Sequence, residues 1–375
     1  MSLSYISFFL VCAVVSAVPR WDHTPAERMR LLGPLAFANS RINFPCKTLT
    51  PSPTVPTSVH ALRVADIQHI AAMGDSLTAA NGANAVTIIA LLVEYRGLSW
   101  SIGGDNNLDK TVTLPNILRK FNSNLNGFST GTGNQNASNA NFNVAKPGAV
   151  SADMPGQADL LISRMRKALG DTRFNTEWKL VTFFIGGNDL CAYCNDNAYY
   201  SAANYRNNIK IALEKLYNGM PRTLVNFVTV LNVAELEDLH EGVVCQSMQG
   251  FLCKCAIDTA TRNVTRVANF EYQKQTNALI DDPSFCSGRD DFTIVRQPFM
   301  EHMKVPTTAA GLADFSYFAP DCFHFSKKGH EAAAVELWNN MMQKVGQKTS
   351  LWNLLDTLHC PDDDNGYIYT TKNSN

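Results

Sequence analysis

The sequence has no excess charge of either sign. Its 375 residues carry 32 Lys+Arg and 33 Asp+Glu, which gives a formal net charge of −1. A protein that binds nucleic acid needs a basic surface to neutralise phosphates, so the balance argues against a nucleic-acid partner. With 45% hydrophobic and only 17% charged residues, the chain also lacks the composition of a disordered protein and is long enough to bury a substantial core.

Beyond its first residues the chain has no apolar run near the roughly 20 residues that a membrane-spanning helix needs. Residues 3–15 form a shorter apolar run, and a small-residue cleavage site follows at Ala17. This pattern predicts a secretory signal peptide over residues 1–17 rather than a membrane anchor. The polar residues 351–375 carry no glycolipid-anchor signal. We therefore expect a secreted, extracellular protein with no transmembrane segment.

Cysteine is common, and its number is informative. Of ten cysteines, Cys12 would leave with the signal peptide, and export favours disulfide bonds among the rest. Nine is an odd number, so at least one thiol should be free or pair with another chain. Sequons at Asn136 and Asn263 predict glycosylation, which also fits export. The nine cysteines are Cys46, Cys191, Cys194, Cys245, Cys253, Cys255, Cys286, Cys322 and Cys360.

Two closely spaced cysteine pairs allow other interpretations. Cys191 with Cys194 and Cys253 with Cys255 could hold zinc, but the second pair lacks the usual ligand spacing. A redox-active Cys-x-x-Cys needs a helix N-terminus to activate its thiol, and none is evident beside Cys191. Disulfide bonds are therefore the favoured interpretation, and we expect no metal site.

Short apolar runs alternate with longer helical patterns along the chain. Such alternation predicts crossover units and a mainly parallel sheet with helices on both faces. We expect a three-layer α/β/α sandwich with five strands over residues 61–350, between an N-terminal arm (18–60) and a polar C-terminal tail (351–375). The predicted strands are 67–73, 141–145, 179–185, 223–231 and 292–295. The predicted helices are 78–95, 154–169, 199–217, 261–280 and 328–345.

Three motifs directly follow predicted strands, where open parallel sheets bind their ligands. Gly74-Asp75-Ser76-Leu77 follows the first strand, and its serine would lie on a tight turn at a helix start. Alone, Asp75 and Ser76 are more simply explained as helix caps. Gly148 follows the second predicted strand and lets the backbone approach a ligand, although a lone turn glycine is common. Asn188, in Gly186-Gly187-Asn188-Asp189, follows the third strand and carries an amide donor.

A fourth motif, Asp321-Cys322-Phe323-His324, precedes the last helix. A spacing of three within a turn can hold a carboxylate against an imidazole, which supplies a general base and its orienting group. A lone Asp-x-x-His could equally be a surface turn. Together the four motifs contain a nucleophile, a base, an orienting acid and three oxyanion donors, the parts of a serine acyl-transfer site. We expect Asp75 to fix the turn of Ser76 rather than to orient the base.

These blocks resemble the SGNH (GDSL) hydrolase superfamily, whose invariant residue types are Ser, Gly, Asn and His. The resemblance implies a flavodoxin-like α/β fold with Ser76 as the nucleophile and His324 as the base, oriented by Asp321. It implies that the oxyanion hole consists of the N–H groups of Ser76 and Gly148 and the side chain of Asn188. It implies catalysis without a metal or cofactor, because these groups cover the tasks that a metal would perform.

Longer segments narrow the resemblance to the animal phospholipase B family. Residues 73–83, 95–105 and 319–326 are similar to that family, within a similarity over about residues 46–349. We expect the chain to differ from the membrane-bound members of that family, with one catalytic unit and no C-terminal anchor. The resemblance implies removal of fatty acyl chains from phospholipid and lysophospholipid substrates through an acyl-enzyme, with transient contact to a lipid surface.

The residues by themselves leave other functions open. One alternative is a secreted carboxylesterase or acetylesterase on small or sugar esters, because one fold serves many substrates. Another is a secreted binding protein without turnover, although no member of the catalytic set is missing.

Cys322 lies within the fourth motif, and we expect it to be disulfide-bonded, with the unpaired thiol among the other eight. Four aromatic residues near the motifs could line an acyl pocket, although core positions are slightly favoured: Trp100, Phe128, Phe323 and Phe325.

Overall fold

The structure is organised around a parallel β-sheet. It is a computed structural model that describes residues 44–354, 357–362 and 365–374, all within a unit spanning Ala38–Asn375. The predicted signal peptide lies outside the described residues. The strands are β1 (Ile67–Gly74), β2 (Trp178–Phe184), β3 (Thr223–Val228) and β4 (Phe292–Gln297).

The strands end together at one edge of the sheet. Each pairs in parallel with its neighbour in chain order, β1-β2-β3-β4. Met73 of β1 aligns with Phe183 of β2, which aligns with Phe227 of β3. All side chains of β2 and β3 are buried, as expected for parallel strands covered on both faces. Residues that follow the strands therefore meet at a common edge.

Helices and short 3-10 turns connect and cover the strands. The α-helices are α1 (Ser76–Ala79), α2 (Leu114–Leu118), α3 (Met154–Thr176), α4 (Gly187–Ala192), α5 (Ala202–Gly219), α6 (Gly242–Leu252), α7 (Lys254–Ile257), α8 (Arg262–Ile280) and α9 (Lys327–Met341). The 3-10 helices are Val59–Ala61, Val64–Asp66, Ile89–Leu92, Arg96–Leu98, Ser138–Ala140, Ser151–Asp153, Val233–Leu239, Phe315–Tyr317 and Thr371–Asn373.

The longer helices form the two outer layers. Crossovers between parallel neighbours are right-handed, so α3, α5 and α8, which join successive strands, lie on one face, where α5 packs against both others. Helix α9 follows β4 and packs against α2 and β4 on the other face. There Asn226 of β3 donates a hydrogen bond to the sulfur of Met341 in α9. The predicted α/β/α sandwich is confirmed.

The second predicted strand, residues 141–145, is wrong as a strand. In the described residues this segment forms one isolated parallel bridge, between Asn143 and Ala72 at the free edge of β1. Asn141 has a positive φ of 49°, and a Pro147–Gly148 turn follows shortly, so too few extended residues remain to build a ladder. The segment still lies where the second strand of a flavodoxin-like sheet would pair, next to β1.

The predicted helix over residues 78–95 is also wrong. Helix α1 stops at Ala80, which is left-handed with a φ of 56°. The chain then leaves the helix and returns as a hairpin, in which the Gly82 N–H donates to the Val93 carbonyl and the Tyr95 N–H to the Ala80 carbonyl. Leu91 is buried under Gly82. The apolar residues of this segment therefore do not form the buried face of a helix, because Leu91 packs inward whereas its neighbours Ile89 and Leu92 are exposed.

The cysteines form disulfides, so the alternative of a four-thiolate zinc site is wrong. Of the described cysteines, Cys286 is free, which agrees with the predicted odd thiol. Cys322 is bonded, as predicted. The bonds are Cys46–Cys360, Cys191–Cys253, Cys194–Cys255 and Cys245–Cys322.

One of these bonds joins residues far apart in the sequence, near the two ends of the described part. Cys46 and Cys360 are 314 positions apart. A hydrogen bond from the Ile368 N–H to the Leu62 carbonyl joins the same two parts of the chain.

The predicted division into an N-terminal arm, a hydrolase domain and a C-terminal tail stays a prediction. Within the described ranges, none of the helices combines the length and the hydropathy of a membrane span.

Candidate active site

Ser76 lies at the sharp junction between β1 and α1. Gly74 ends the strand, and a Cβ there would lie 2.2 Å from the Phe184 carbonyl oxygen, so only glycine fits this approach. Asp75 caps α1 by accepting a hydrogen bond from the Leu77 N–H at 2.9 Å. Ser76 is the first helical residue and is 5% exposed, with its N–H among those that a helix start leaves without an internal acceptor.

Asp321 and His324 are held in one tight turn. The Asp321 Oδ1 accepts the backbone N–H groups of Phe323 and His324, at 3.1 and 3.0 Å. Its Oδ2 accepts from the Nδ1 of His324 at 2.6 Å. Cys322, at the apex, has a φ of 56°, a left-handed conformation that closes the turn. The carboxylate thus organises the turn and orients the imidazole at the same time.

The turn brings the imidazole to Ser76. The Nε2 of His324 lies 2.9 Å from the Oγ of Ser76, although 248 residues separate them in the sequence. Because Nδ1 donates to Asp321, the free lone pair is on Nε2, which can accept the serine proton. The predicted nucleophile, base and orienting acid are therefore in hydrogen-bond contact in one line.

Asp321 is almost fully buried. Burial alone would raise the pKa of its carboxyl, but the hydrogen bond and charge of His324 outweigh burial and hold that pKa below its usual value. Asp75, which precedes Ser76 in the chain, is also buried. There burial outweighs the hydrogen bond from the Leu77 N–H and the charge of His324, and it raises the pKa of Asp75 to about 6. The two acids next to the serine are therefore electrostatically different.

Gly148 lies in a tight turn at the same edge. The Ala149 N–H donates to the Lys146 carbonyl at 3.0 Å, and Gly148 has a φ of 75°. Pro147 followed by a positive-φ glycine is the signature of a type II turn, which points the glycine N–H outward. The Lys146 N–H donates to the Gly74 carbonyl, so this turn is attached to the end of β1, two residues before Ser76.

Asn188 lies in the first turn of α4, after β2. Its Nδ2 donates to the Ala149 carbonyl at 2.9 Å, which ties it to the turn of Gly148. An amide has two hydrogens, so the second stays available to a ligand. Next to it, the buried Asp189 accepts the N–H and hydroxyl of Ser151, and burial raises the pKa of Asp189 to about 7. All the predicted oxyanion donors thus lie at one edge of the sheet, on connected segments.

Two buried residues that brace this edge were missed by sequence reasoning. Gln157 of α3 bonds both backbone groups of Gly74, donating to its carbonyl at 2.8 Å and accepting its N–H at 2.9 Å. Arg96 is paired with Glu94 and donates to the carbonyls of Asn143 and Ala145. No local pattern marks either residue for this role, because the backbone groups of Ala145 and Gly74 that they bond lie about 50 to 80 positions away.

Helix α6 supports the Asp321–His324 turn from outside. The Cys245–Cys322 disulfide joins α6 to the turn, and Gln249 of the same helix donates to the Cys322 carbonyl at 2.8 Å. His240 is hydrogen-bonded to Gln249 at 2.8 Å and orients that amide. A backbone held in the left-handed region is therefore anchored by a covalent bond and by a buried hydrogen bond.

The four aromatic candidates divide between core and surface. Trp100 and Phe325 are core residues, 0% and 2% exposed, as the sequence favoured. Phe128 is half-buried under the guanidinium of Arg119. Phe323 is also half-buried, and its ring lies edge-on to the His324 imidazole with the ring centres 5.0 Å apart. Of the four, Phe323 alone is in ring contact with His324.

The remaining predicted sites are the two glycosylation sequons and the absence of a metal site. Asn136 and Asn263 are both exposed, and their glycosylation stays a prediction. In the described part of the chain, no three His, Cys, Asp or Glu side chains are grouped as metal ligands.

A parallel α/β sandwich with a serine, an imidazole and a carboxylate in contact at the carboxyl edge defines the class of α/β serine hydrolases. The chain belongs to the GDSL-like lipase/acylhydrolase family, whose sequence pattern matches residues 70–337.

The chain is also similar to two mammalian proteins named phospholipase B1. Membrane-associated phospholipase B1 of Homo sapiens is 46% identical over 342 residues, which are 88% of this chain and 23% of the human protein. The Mus musculus protein of the same name is 44% identical over 343 residues, 88% of this chain and 23% of the mouse protein. The chain thus spans about a quarter of the length of these relatives. A crystal structure of a GDSL-like lipase from Parabacteroides merdae is 14% identical, with a TM-score of 0.37, and covers 76% of this chain and 98% of that chain.

Proposed function

We propose that this chain is a secreted serine ester hydrolase that removes fatty acyl chains from glycerophospholipids and lysophospholipids. The observation that carries the chemistry is the contact line from Ser76 through His324 to Asp321. The lipid substrate is proposed from the similarity to proteins named phospholipase B1. Secretion is supported by the disulfides, which persist in oxidising compartments.

In this mechanism His324 removes the Ser76 proton as the Oγ attacks the ester carbonyl. Asp321 keeps the Nδ1–H tautomer and stabilises the imidazolium that forms. The oxyanion accepts hydrogen bonds from the N–H groups of Ser76 and Gly148 and from the second amide hydrogen of Asn188. One such donor is worth about 3 kcal/mol in the transition state.

Proton transfer then completes the cycle. The imidazolium gives its proton to the leaving alcohol oxygen, which leaves an acyl ester on the Ser76 Oγ. His324 next takes a proton from water, whose oxygen attacks the acyl carbonyl, and the second tetrahedral intermediate collapses to release the fatty acid. Ser76 recovers its proton from His324, so no proton is gained or lost by the site over one turnover.

The test compares wild type with Ser76→Ala at equal amounts of folded, secreted protein. We expect wild type to release fatty acid from phosphatidylcholine and lysophosphatidylcholine, and Ser76→Ala to lose at least about 10³-fold in rate because the nucleophile is gone. Near-normal turnover by Ser76→Ala would contradict the chemistry. Release of acetate from a soluble ester without release of fatty acid would instead favour a small-ester esterase.

A further inference from the structure

The hairpin that follows Ser76 carries an apolar tip. Residues 83–92, which we call the rim loop, connect its two arms, and the bridge between Asn81 and Glu94 closes its base. Four aliphatic side chains of the rim loop are exposed, at 43 to 83% of their surface. They are Val86, Ile88, Ile89 and Leu92.

The base of the hairpin adjoins both sides of the Asp321–His324 turn. A Cβ on Gly82 would touch the side chain of Ala319 at 3.4 Å, and the Lys327 N–H donates to the Ala83 carbonyl at 2.6 Å. The rim loop thus projects from the border of the candidate active site and not from a remote surface.

Charge is absent from this segment. Residues 76–93 contain no Asp, Glu, Lys, Arg or His, although charged residues make up 17% of the chain. The exposed side chains that are large are aliphatic, without the aromatic and Arg residues that are enriched in protein interfaces. An uncharged aliphatic tip is suited to insertion at the boundary of lipid acyl chains.

An exposed cation lies on a segment that is attached just past the base of the hairpin. Arg96, just past the second arm, donates to the carbonyl of Ala145 at 2.7 Å. Lys146, which follows Ala145, is exposed and begins the turn that contains Gly148. With the aliphatic tip among acyl chains, an ammonium on the side of the hairpin's base is complementary to the phosphate layer above them.

We propose that the rim loop docks the enzyme on a phospholipid surface, with Ile89 and Leu92 entering the acyl boundary and Lys146 at the level of the phosphates. This inference rests on the proposed lipid substrate and adds the surface that delivers it. Docking there would place the border of the candidate active site against the membrane, so an extracted lipid reaches the serine without crossing bulk water.

Binding is measured on the Ser76→Ala protein, so that the vesicles are not consumed. The rim-loop variant adds Ile89→Asp and Leu92→Asp. The matched control adds Val267→Asp and Phe270→Asp on α8, where both residues are exposed, at 64 and 61%. We expect the rim-loop variant to bind phosphatidylcholine vesicles at least about tenfold more weakly, because each change removes a large aliphatic group from the lipid. The control should stay within about twofold, as is usual for surface changes.

The same double changes are then made with Ser76 intact. Activity of the rim-loop variant on a soluble monomeric ester should stay within about twofold of wild type, because surface changes of this kind leave the fold intact. Its release of fatty acid from vesicles should fall in parallel with binding. Unchanged binding, or an equal loss in the α8 control, would overturn the proposal.

A monomer produced from a wild-type dimer by the rim-loop changes would overturn it as well, because a second copy would then cover the loop. The proposed function is tested by a different measurement. It fails if the wild-type protein hydrolyses no ester, whereas docking is measured as vesicle binding by the inactive Ser76→Ala protein.

Discussion

Two aspartates flank the serine, and their surroundings assign them different roles. Asp321 accepts the imidazole and two backbone N–H groups, and its pKa is held below the usual value by His324. Asp75 accepts the Leu77 N–H, and burial raises its pKa to about 6. The acid next to Ser76 in the sequence is therefore a helix cap, whereas the distant acid is hydrogen-bonded to the proposed base.

Asp321→Asn and Asp75→Asn form a matched pair of tests. We expect Asp321→Asn to lower kcat on a soluble ester by roughly 10⁴-fold, because the amide favours the wrong imidazole tautomer. Asp75→Asn should stay within about tenfold, since asparagine caps helices as well as aspartate does. Its Tm at neutral pH should be no lower than that of wild type, because the raised pKa makes the ionised, buried carboxylate a cost there. Equal losses of activity in the two variants would contradict this assignment.

Acid should lower activity, because a general base must be unprotonated to accept the serine proton. The pKa of Asp321 is held below its usual value, so we expect the loss of kcat/KM on a soluble ester in acid to come from the base and not from the orienting acid. Asp75, whose pKa is raised to about 6, also titrates in mildly acidic solution, and the Asp75→Asn profile serves as the control. It should keep the same acid limb. A flat profile down to about pH 4 would contradict a histidine base.

At the scale of elements, the Asp321–His324 turn depends on α6. The turn holds Cys322 in a left-handed conformation, and α6 secures it through the Cys245 disulfide and through Gln249. The disulfide of Cys194 and Cys255 closes a loop of similar length, 61 against 77 positions, without touching the turn. The two bonds can therefore be compared directly.

We expect removal of either disulfide by paired Cys→Ser changes to cost about 2 to 4 kcal/mol of stability. Loss of Cys245–Cys322 should also lower kcat/KM by at least about tenfold while the protein is folded, because small displacements of a base are costly. Loss of Cys194–Cys255 should leave kcat/KM near wild type, and Cys286→Ser should change neither quantity. Activity on a soluble ester, measured below the Tm of each variant, decides the matter. Equal kinetic effects of the two bonds would show that the turn needs no covalent anchor.

At the scale of the whole molecule, the proposed chemistry is complete in the side chains of one sheet edge. Nucleophile, base, orienting acid and oxyanion donors come from segments at the ends of β1 and β2, from the turn of Gly148 and from the turn before α9. In the proposed mechanism these groups activate the serine and receive the oxyanion, so neither task is assigned to a metal.

We therefore expect EDTA to leave kcat/KM on a soluble monomeric ester within about twofold of the untreated value. A monomeric substrate is needed because calcium changes the packing of lipid surfaces. A loss of activity in EDTA that calcium restores would contradict the proposed mechanism.

The sequence by itself determined the chemistry and the class of fold. Parallel strands end at one edge whatever the details of the loops, so their positions after predicted strands place Ser76 and Asn188 in one region. Gly148 lies there too, although the segment before it forms a single bridge to β1 and not a strand. Four of the five predicted strands are present, with ends shifted by a few residues at most. The Asp321–His324 spacing was informative for a similar reason, because a turn of four residues leaves few arrangements for a carboxylate and an imidazole.

Only the tertiary structure decided the features that depend on distant partners. The apolar residues after Ser76 fit a helix by spacing, but the left-handed Ala80 and the hydrogen bonds from Gly82 to Val93 and from Tyr95 to Ala80 make them a hairpin. Residues 141–145 have one bridge to β1 rather than a ladder. The pairing of the cysteines and the bonds of Gln157 to Gly74 join segments tens of residues apart. The local sequence does not indicate such contacts. They form only when folding brings distant segments together, and the entropy of closing the intervening loops depends on the whole chain.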